Sequence, residues 1–167
     1  MIEVVIDSIR ISLISQHRIV MLRDTDGERR LPIWIGPCEA EAITIELQDV
    51  EIARPVTHDL LKNVIEQMGG TVSHILINEL NEQVFYARLF VDADGEMTEI
   101  DCRPSDAIAV AVRAKVPIFV DEAVMDEAGI FPETDVEEPV EADDPEKLDA
   151  FQDFVDTLDF DDFEGDE

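Results

Sequence analysis

The hydrophobic period of this chain switches twice from two residues to about 3.6, which restricts it to a sheet with helices laid against it. From Glu3 to Leu13 apolar and polar residues alternate, and His17 to Arg23 and Arg29 to Gly36 repeat the alternation, with Asp26-Gly27 as the turn between them. Pro37 to Asp49 then carries Ala40, Ile43 and Leu47 at helical spacing, and a second helix runs from Thr57 to Met68, closed by Gly69-Gly70. Thr71 to Leu80, Val84 to Asp92 and Met97 to Cys102 return to strand patterning, with Asp94-Gly95 turning the last pair. A helix from Ser105 to Lys115, a strand at Pro117 to Val120 and a short helix near Ala123 to Ala128 complete the series. The pattern predicts an α+β domain with a mixed, largely antiparallel sheet and packed helices. It also suggests a duplicated strand-strand-strand-helix unit, because Arg54-Pro55 and Arg103-Pro104 each stand ahead of a hydroxyl residue, an acid and a helix.

Charge divides the chain further. Forty-one Asp and Glu against 12 Lys and Arg give a net charge of −29, which excludes a broad basic face for gripping nucleic acid. Residues 132–167 hold 17 acids and one base, against 24 acids and 11 bases in residues 1–131. The expected organisation is a domain at 1–131, an acidic linker at 132–145 containing Pro132, Pro139 and Pro145, and an acidic tail at 146–167. Within that tail Leu148, Phe151, Phe154, Val155 and Leu158 predict a short amphipathic helix. Scarce lysine and acids in every segment fit a halophilic cytoplasm, since in about 1 M salt the Debye length is roughly 3 Å and carboxylate repulsion is screened. The acidic first residues and the short apolar run Ala107 to Val112 predict a cytoplasmic protein without a membrane span. Cys38 and Cys102 form no C-x-x-C pair and read as small buried residues, and Trp34, within an apolar strand, reads as core.

Chemistry is expected at the helix starts, whose free N–H groups and partial positive charge attract anions. Thr57 and Ser105 read as N-caps, and Asp59 and Asp106 as first-turn acids. His58, Arg54 and Arg103 are unnecessary for capping and suit a phosphodiester. Phosphodiester hydrolysis assisted by Mg²⁺ or Mn²⁺ needs a few carboxylates. Glu39 or Glu41 can supply one, and Asp101 and Asp106 are expected to converge across the Arg-Pro turn. His17 and His74 lie in strand patterns and read as structural or exposed rather than catalytic. No G-x-S-x-G, phosphate-loop or dinucleotide motif is present.

Three motifs in order, Leu31-Pro32-Ile33-Trp34-Ile35-Gly36 with Glu39-Ala40, Arg54-Pro55-Val56-Thr57-His58-Asp59-Leu60-Leu61, and Asp101-Cys102-Arg103-Pro104-Ser105-Asp106-Ala107, resemble the bifunctional nuclease domain family. Pro117-Ile118-Phe119-Val120 follows them, so the resemblance spans residues 2–131. It implies an α+β domain, a homo-oligomer and a nuclease acting on RNA or DNA. By position in those motifs, His58, Asp59 and Asp106 are the expected catalytic residues. Arg54, Arg103 and Ser105 are expected to contact phosphate, and Glu39, Asp101 and Asp106 to hold a divalent cation. The rival expectation is a noncatalytic binding or assembly module whose motifs only cap helices.

Overall fold

The computed structural model describes residues 1–12 and 17–132, so Leu13, the linker and the expected helix near residues 147–158 lie outside the described residues. The first strand triplet becomes an antiparallel meander of β1 (Ile2–Ile11), β2 (Arg18–Asp24) and β3 (Arg30–Ile35), followed by helices α1 (Pro37–Leu47) and α2 (Thr57–Gln67). The second triplet forms another, β4 (Gly70–Asn81), β5 (Val84–Ala93) and β6 (Glu96–Cys102), followed by α3 (Pro104–Ala114), β7 (Ile118–Val120) and α4 (Glu122–Ala128). Among the described residues these strands make one sheet in the order β3-β2-β1-β7-β4-β5-β6. The short β7 joins the two meanders, antiparallel to β1 and parallel to β4, and is the source of the sheet's mixed character. The fold is α+β as the periodicity predicts, and each expected strand-strand-strand-helix unit is visible as a meander leading into a helix. No helix among the described residues is long and apolar enough to cross a membrane.

The core lies between the sheet and α3. Ala107, Ile108, Ala109, Val110 and Ala111 are all buried, because small side chains let this helix approach both the sheet and the other helices. Ile75, Ile77, Ala87 and Leu89 from β4 and β5, with Val20, Leu22, Leu31 and Ile33 from β2 and β3, complete it. Register shifts in β1 and β4 mark β-bulges, which bend and twist their strands. The end of β3 lies near the β4–β5 turn, where Trp34 and Gln83 line one depression. His74 is structural as expected, its ring stacked on Phe90 at 4.2 Å between centroids.

Three expectations need correction. Trp34 is 61% exposed rather than core, because the pleat that turns Leu31 and Ile33 inward turns Pro32 and Trp34 outward. Cys38 is exposed and Cys102 only partly buried, since Cys38 falls in the solvent-facing first turn of α1. Thr57 and Ser105 are not N-caps. The cap positions belong to Val56 and Arg103, because Pro104 takes the first helical position of α3, where its missing N–H costs nothing, and Ser105 is carried into the first turn and buried.

Candidate active site at three helix starts

The first turns of α1, α2 and α3 meet. Arg103, immediately ahead of α3, donates from Nη2 to Glu39 Oε1 at 2.6 Å and to Asp106 Oδ1 at 3.1 Å, and from Nε to Asp106 Oδ2 at 2.7 Å. The fork to Asp106 is bidentate, the geometry that makes arginine–carboxylate pairs short and directional. Asp106 Oδ1 also lies 3.2 Å from His58 Nε2. Glu39, Arg103, Asp106 and His58 therefore form one chain of contacts across three helices. It lines a pocket of about 420 Å³ together with Cys38, Glu41, Ala42, Ile45, Val56 and Thr57. Glu39 folds back over Gly36, where a Cβ would stand 2.2 Å from Glu39 Oε2, so the missing side chain of Gly36 makes room for the carboxylate.

Electrostatics favour the charged forms of Asp106 and Arg103. Partial burial pushes the Asp106 carboxyl up, but the hydrogen bonds from Arg103 and His58 outweigh it and hold the group below the usual carboxylate range. Hydrogen bonds to Asp106 and then to Glu39 raise the Arg103 guanidinium further above its already high value. Three helix dipoles add partial positive charge to the place where these side chains converge.

A family model described as the bifunctional nuclease domain matches residues 20–133. The chain belongs to the bifunctional nuclease domain family. It is 40% identical over 162 residues to an uncharacterized protein of Mycobacterium tuberculosis, covering 96% of this chain and 97% of that one. It is 37% identical over 115 residues to Bifunctional nuclease 2 of Oryza sativa subsp. japonica, and 32% identical over 110 residues to Bifunctional nuclease 1 of Arabidopsis thaliana. The aligned parts cover 66% and 64% of this chain but only 35% and 34% of those plant proteins.

This bifunctional nuclease domain gathers some of the expected site residues and separates others. His58, Asp106, Arg103 and Glu39 are together. Asp101 is not, contrary to the expectation that it converges with Asp106: it stands opposite Arg88 across the β5–β6 ladder, with Arg88 Nη1 3.6 Å from its Oδ1. The Arg88 pairing holds the Asp101 carboxylate at the exposed surface of the β5–β6 ladder, outside the pocket that Asp106 lines. No group of three or more His, Cys, Asp or Glu side chains among the described residues is placed to hold a metal. Asp59 serves the fold, one oxygen accepting from Val56 N–H at 2.8 Å and the other from Arg113 Nε at 2.5 Å. Burial pushes its carboxyl up, and these two donors more than offset it, leaving the group below its ordinary value. Arg54 is exposed, has no carboxylate partner among the described residues and does not line the pocket. Ser105 lines the neighbouring depression with Trp34 instead.

Sequence reasoning missed Arg113. Its side chain is 3% exposed, and it donates to Asp59, to the carbonyl of Ala109 and, at 2.9 Å, to the carbonyl of Ala42 in α1. One guanidinium thus fastens α1 and α2 to α3 and sets the spacing of the pocket walls. The available signal was an arginine late in an otherwise apolar helix, a position where it must find acceptors. Cys102 is no nucleophile at neutral pH, because burial and the neighbouring Asp101 and Asp106 push its thiol up to about 11.

Proposed function

We propose that this domain is a nuclease that hydrolyses phosphodiester bonds of RNA or DNA in the pocket between α1, α2 and α3. The reading is carried by the His58–Asp106–Arg103–Glu39 chain, which puts a proton carrier, an orienting carboxylate and a cationic fork within one small cavity. With His58 Nε2–H donating to Asp106, Nδ1 keeps its lone pair and is the atom able to take a proton from an attacking hydroxyl or water. Asp106 fixes the ring and stabilises the imidazolium as the proton arrives. Arg103 and the helix starts offer donors to the phosphate oxygens, whose charge grows in the transition state. Glu39 and Asp106 are the carboxylates suited to a divalent cation, since Mg²⁺ is commonly held by one or two carboxylates plus substrate phosphate. Such an ion would supply Lewis acidity and offset part of the chain's negative charge.

The test incubates purified protein with single-stranded RNA and DNA in molar KCl with Mg²⁺ or Mn²⁺. We expect cleavage, lost by about 100-fold or more in His58→Ala and Asp106→Ala and reduced in Glu39→Ala. Equal rates in wild type and all three variants would reject the site, and cleavage undiminished by excess EDTA would reject the cation. A noncatalytic assembly module is the second reading, favoured by the exposed Leu60, Leu61 and Val64 on α2 and Met68 at its C-cap. It predicts no cleavage by any of these proteins and self-association that Leu60→Glu with Val64→Glu abolishes.

A further inference from the structure

We infer that Trp34 is a stacking platform for an unpaired nucleobase of the strand whose phosphate lies at Arg103; this rests on the nuclease reading of the adjoining pocket. The indole stands near the end of the edge strand β3, 61% exposed, beside a depression of about 270 Å³. Gly36, Gln83, Phe85, Arg103 and Ser105 line the same depression. Arg103 also lines the pocket of His58 and Asp106, so a phosphate at its guanidinium has the candidate proton carrier on one side and the indole on the other.

The β4–β5 turn adds a polar group to this wall. Glu82 and Gln83 occupy its two central positions at φ values of 48° and 67°. A two-residue hairpin of that conformation favours Asn-Gly or Asp-Gly, and Asp94-Gly95 fills the equivalent turn after β5. Holding glutamine where glycine fits more easily costs conformational energy, and Gln83 lines the depression with a side chain whose amide can both donate to and accept from a base edge. A base inside a duplex shows no face to an indole, so the ligand class is a single strand. The charge of −29 points the same way. Salt that screens the repulsion also weakens phosphate contacts through counterion release, whereas stacking does not draw on that term.

Trp34 is the only tryptophan of the chain, so emission excited at the red edge, where Tyr86 does not absorb, reports on this position alone. Full-length protein is titrated with a twelve-nucleotide single-stranded DNA, a strand of equal length lacking bases, and a DNA duplex, and strand integrity is checked after each titration. The expected result is quenching by the base-bearing single strand only, and tighter binding of that strand than of the abasic one. Affinities of wild type and variants are compared by the fluorescence anisotropy of end-labelled strands, because the variants carry no tryptophan: Trp34→Ala is expected to weaken binding of the base-bearing strand roughly 10- to 100-fold, leave the abasic strand unaffected and keep the wild-type urea midpoint, while Trp34→Phe keeps most of the affinity. Unchanged emission on binding, or equal affinities in wild type and Trp34→Ala, overturns the platform. If wild type cleaves and Trp34→Ala behaves identically, the platform fails while the nuclease reading stands. If the strand quenches Trp34 and nothing is cut, the nuclease reading fails while the platform stands, and absence of both binding and cleavage rejects the two together.

Discussion

The starts of α2 and α3 carry nearly the same words, Arg-Pro, a hydroxyl residue and an acid at the third helical position, yet the fold uses them differently. At α3 the proline is the first helical residue, which sets Arg103 at the cap and within reach of Glu39 and Asp106. At α2 an extra residue, Val56, separates proline from helix, and Arg54 is left in solvent. Asp59 and Asp106 occupy equivalent turns, but Asp59 is bound by the buried Arg113 and Asp106 by the exposed Arg103. A paired arginine acts as a brace when its carboxylate and carbonyl acceptors are buried with it, and remains available to a ligand when its other edge faces a pocket.

The largest expected effect breaks the brace. Arg113→Ala leaves the Asp59 carboxylate with only the Val56 N–H and removes the guanidinium link between α1, α2 and α3, and the unfolding free energy from urea titration should fall by about 3–5 kcal/mol. Arg103→Ala, removing a guanidinium whose side chain is 66% exposed, should cost under about 1 kcal/mol after solvent screening. Comparable losses in the two variants would erase the distinction.

The next contrast exchanges the acids. Asp59→Asn should lower stability by about 1–3 kcal/mol and leave the cleavage rate per folded molecule within a few-fold. Asp106→Asn should lower cleavage by about 100-fold with a smaller loss of stability. The reverse pattern would transfer the catalytic role to Asp59.

Acid titration sharpens the comparison further. Both carboxyls are lowered in the folded chain, so each contributes stability that is fully present above its unfolded value and is lost as pH falls through the lowered folded value. Stability should therefore decline below about pH 4, and the decline should be shallower in Asp59→Asn and in Asp106→Asn. An acid limb identical in both variants and wild type would mean that neither pair contributes. The smallest expected effect belongs to Gly36→Ala, whose Cβ would displace the Glu39 carboxylate from Arg103 with little change in melting temperature. It should lower cleavage less than Glu39→Ala does, and a loss greater than that of Glu39→Ala would show that Gly36 matters for another reason.

Much of the fold was legible because its signals are local. The turn residues Asp26-Gly27 and Asp94-Gly95 and the two strand triplets predicted both meanders, and the predicted element ends lie within a residue or two of those observed. The β4–β7 pairing was not legible, since joining two meanders through a three-residue strand leaves no mark on hydrophobic period. For the site, Arg-Pro before a helix pointed to Arg103, His58 and Asp106, and the convergence of Glu39 with them depends on how α1 packs against α3. Asp101 was misplaced because a strand's last acid can face either side of the sheet until its partner Arg88 is known.

By itself the sequence determined the order of strands and helices, the turns and the membership of a domain family, all set by spacing along the chain and by the conformational limits of glycine and proline. Packing in three dimensions settles which carboxylates meet a guanidinium, that Arg113 is buried, and that Trp34 faces outward beside the depression that Arg103 also lines. Those outcomes depend on distances between residues far apart in the chain. Coulomb attraction, desolvation and packing act over a few ångströms and take no account of sequence separation.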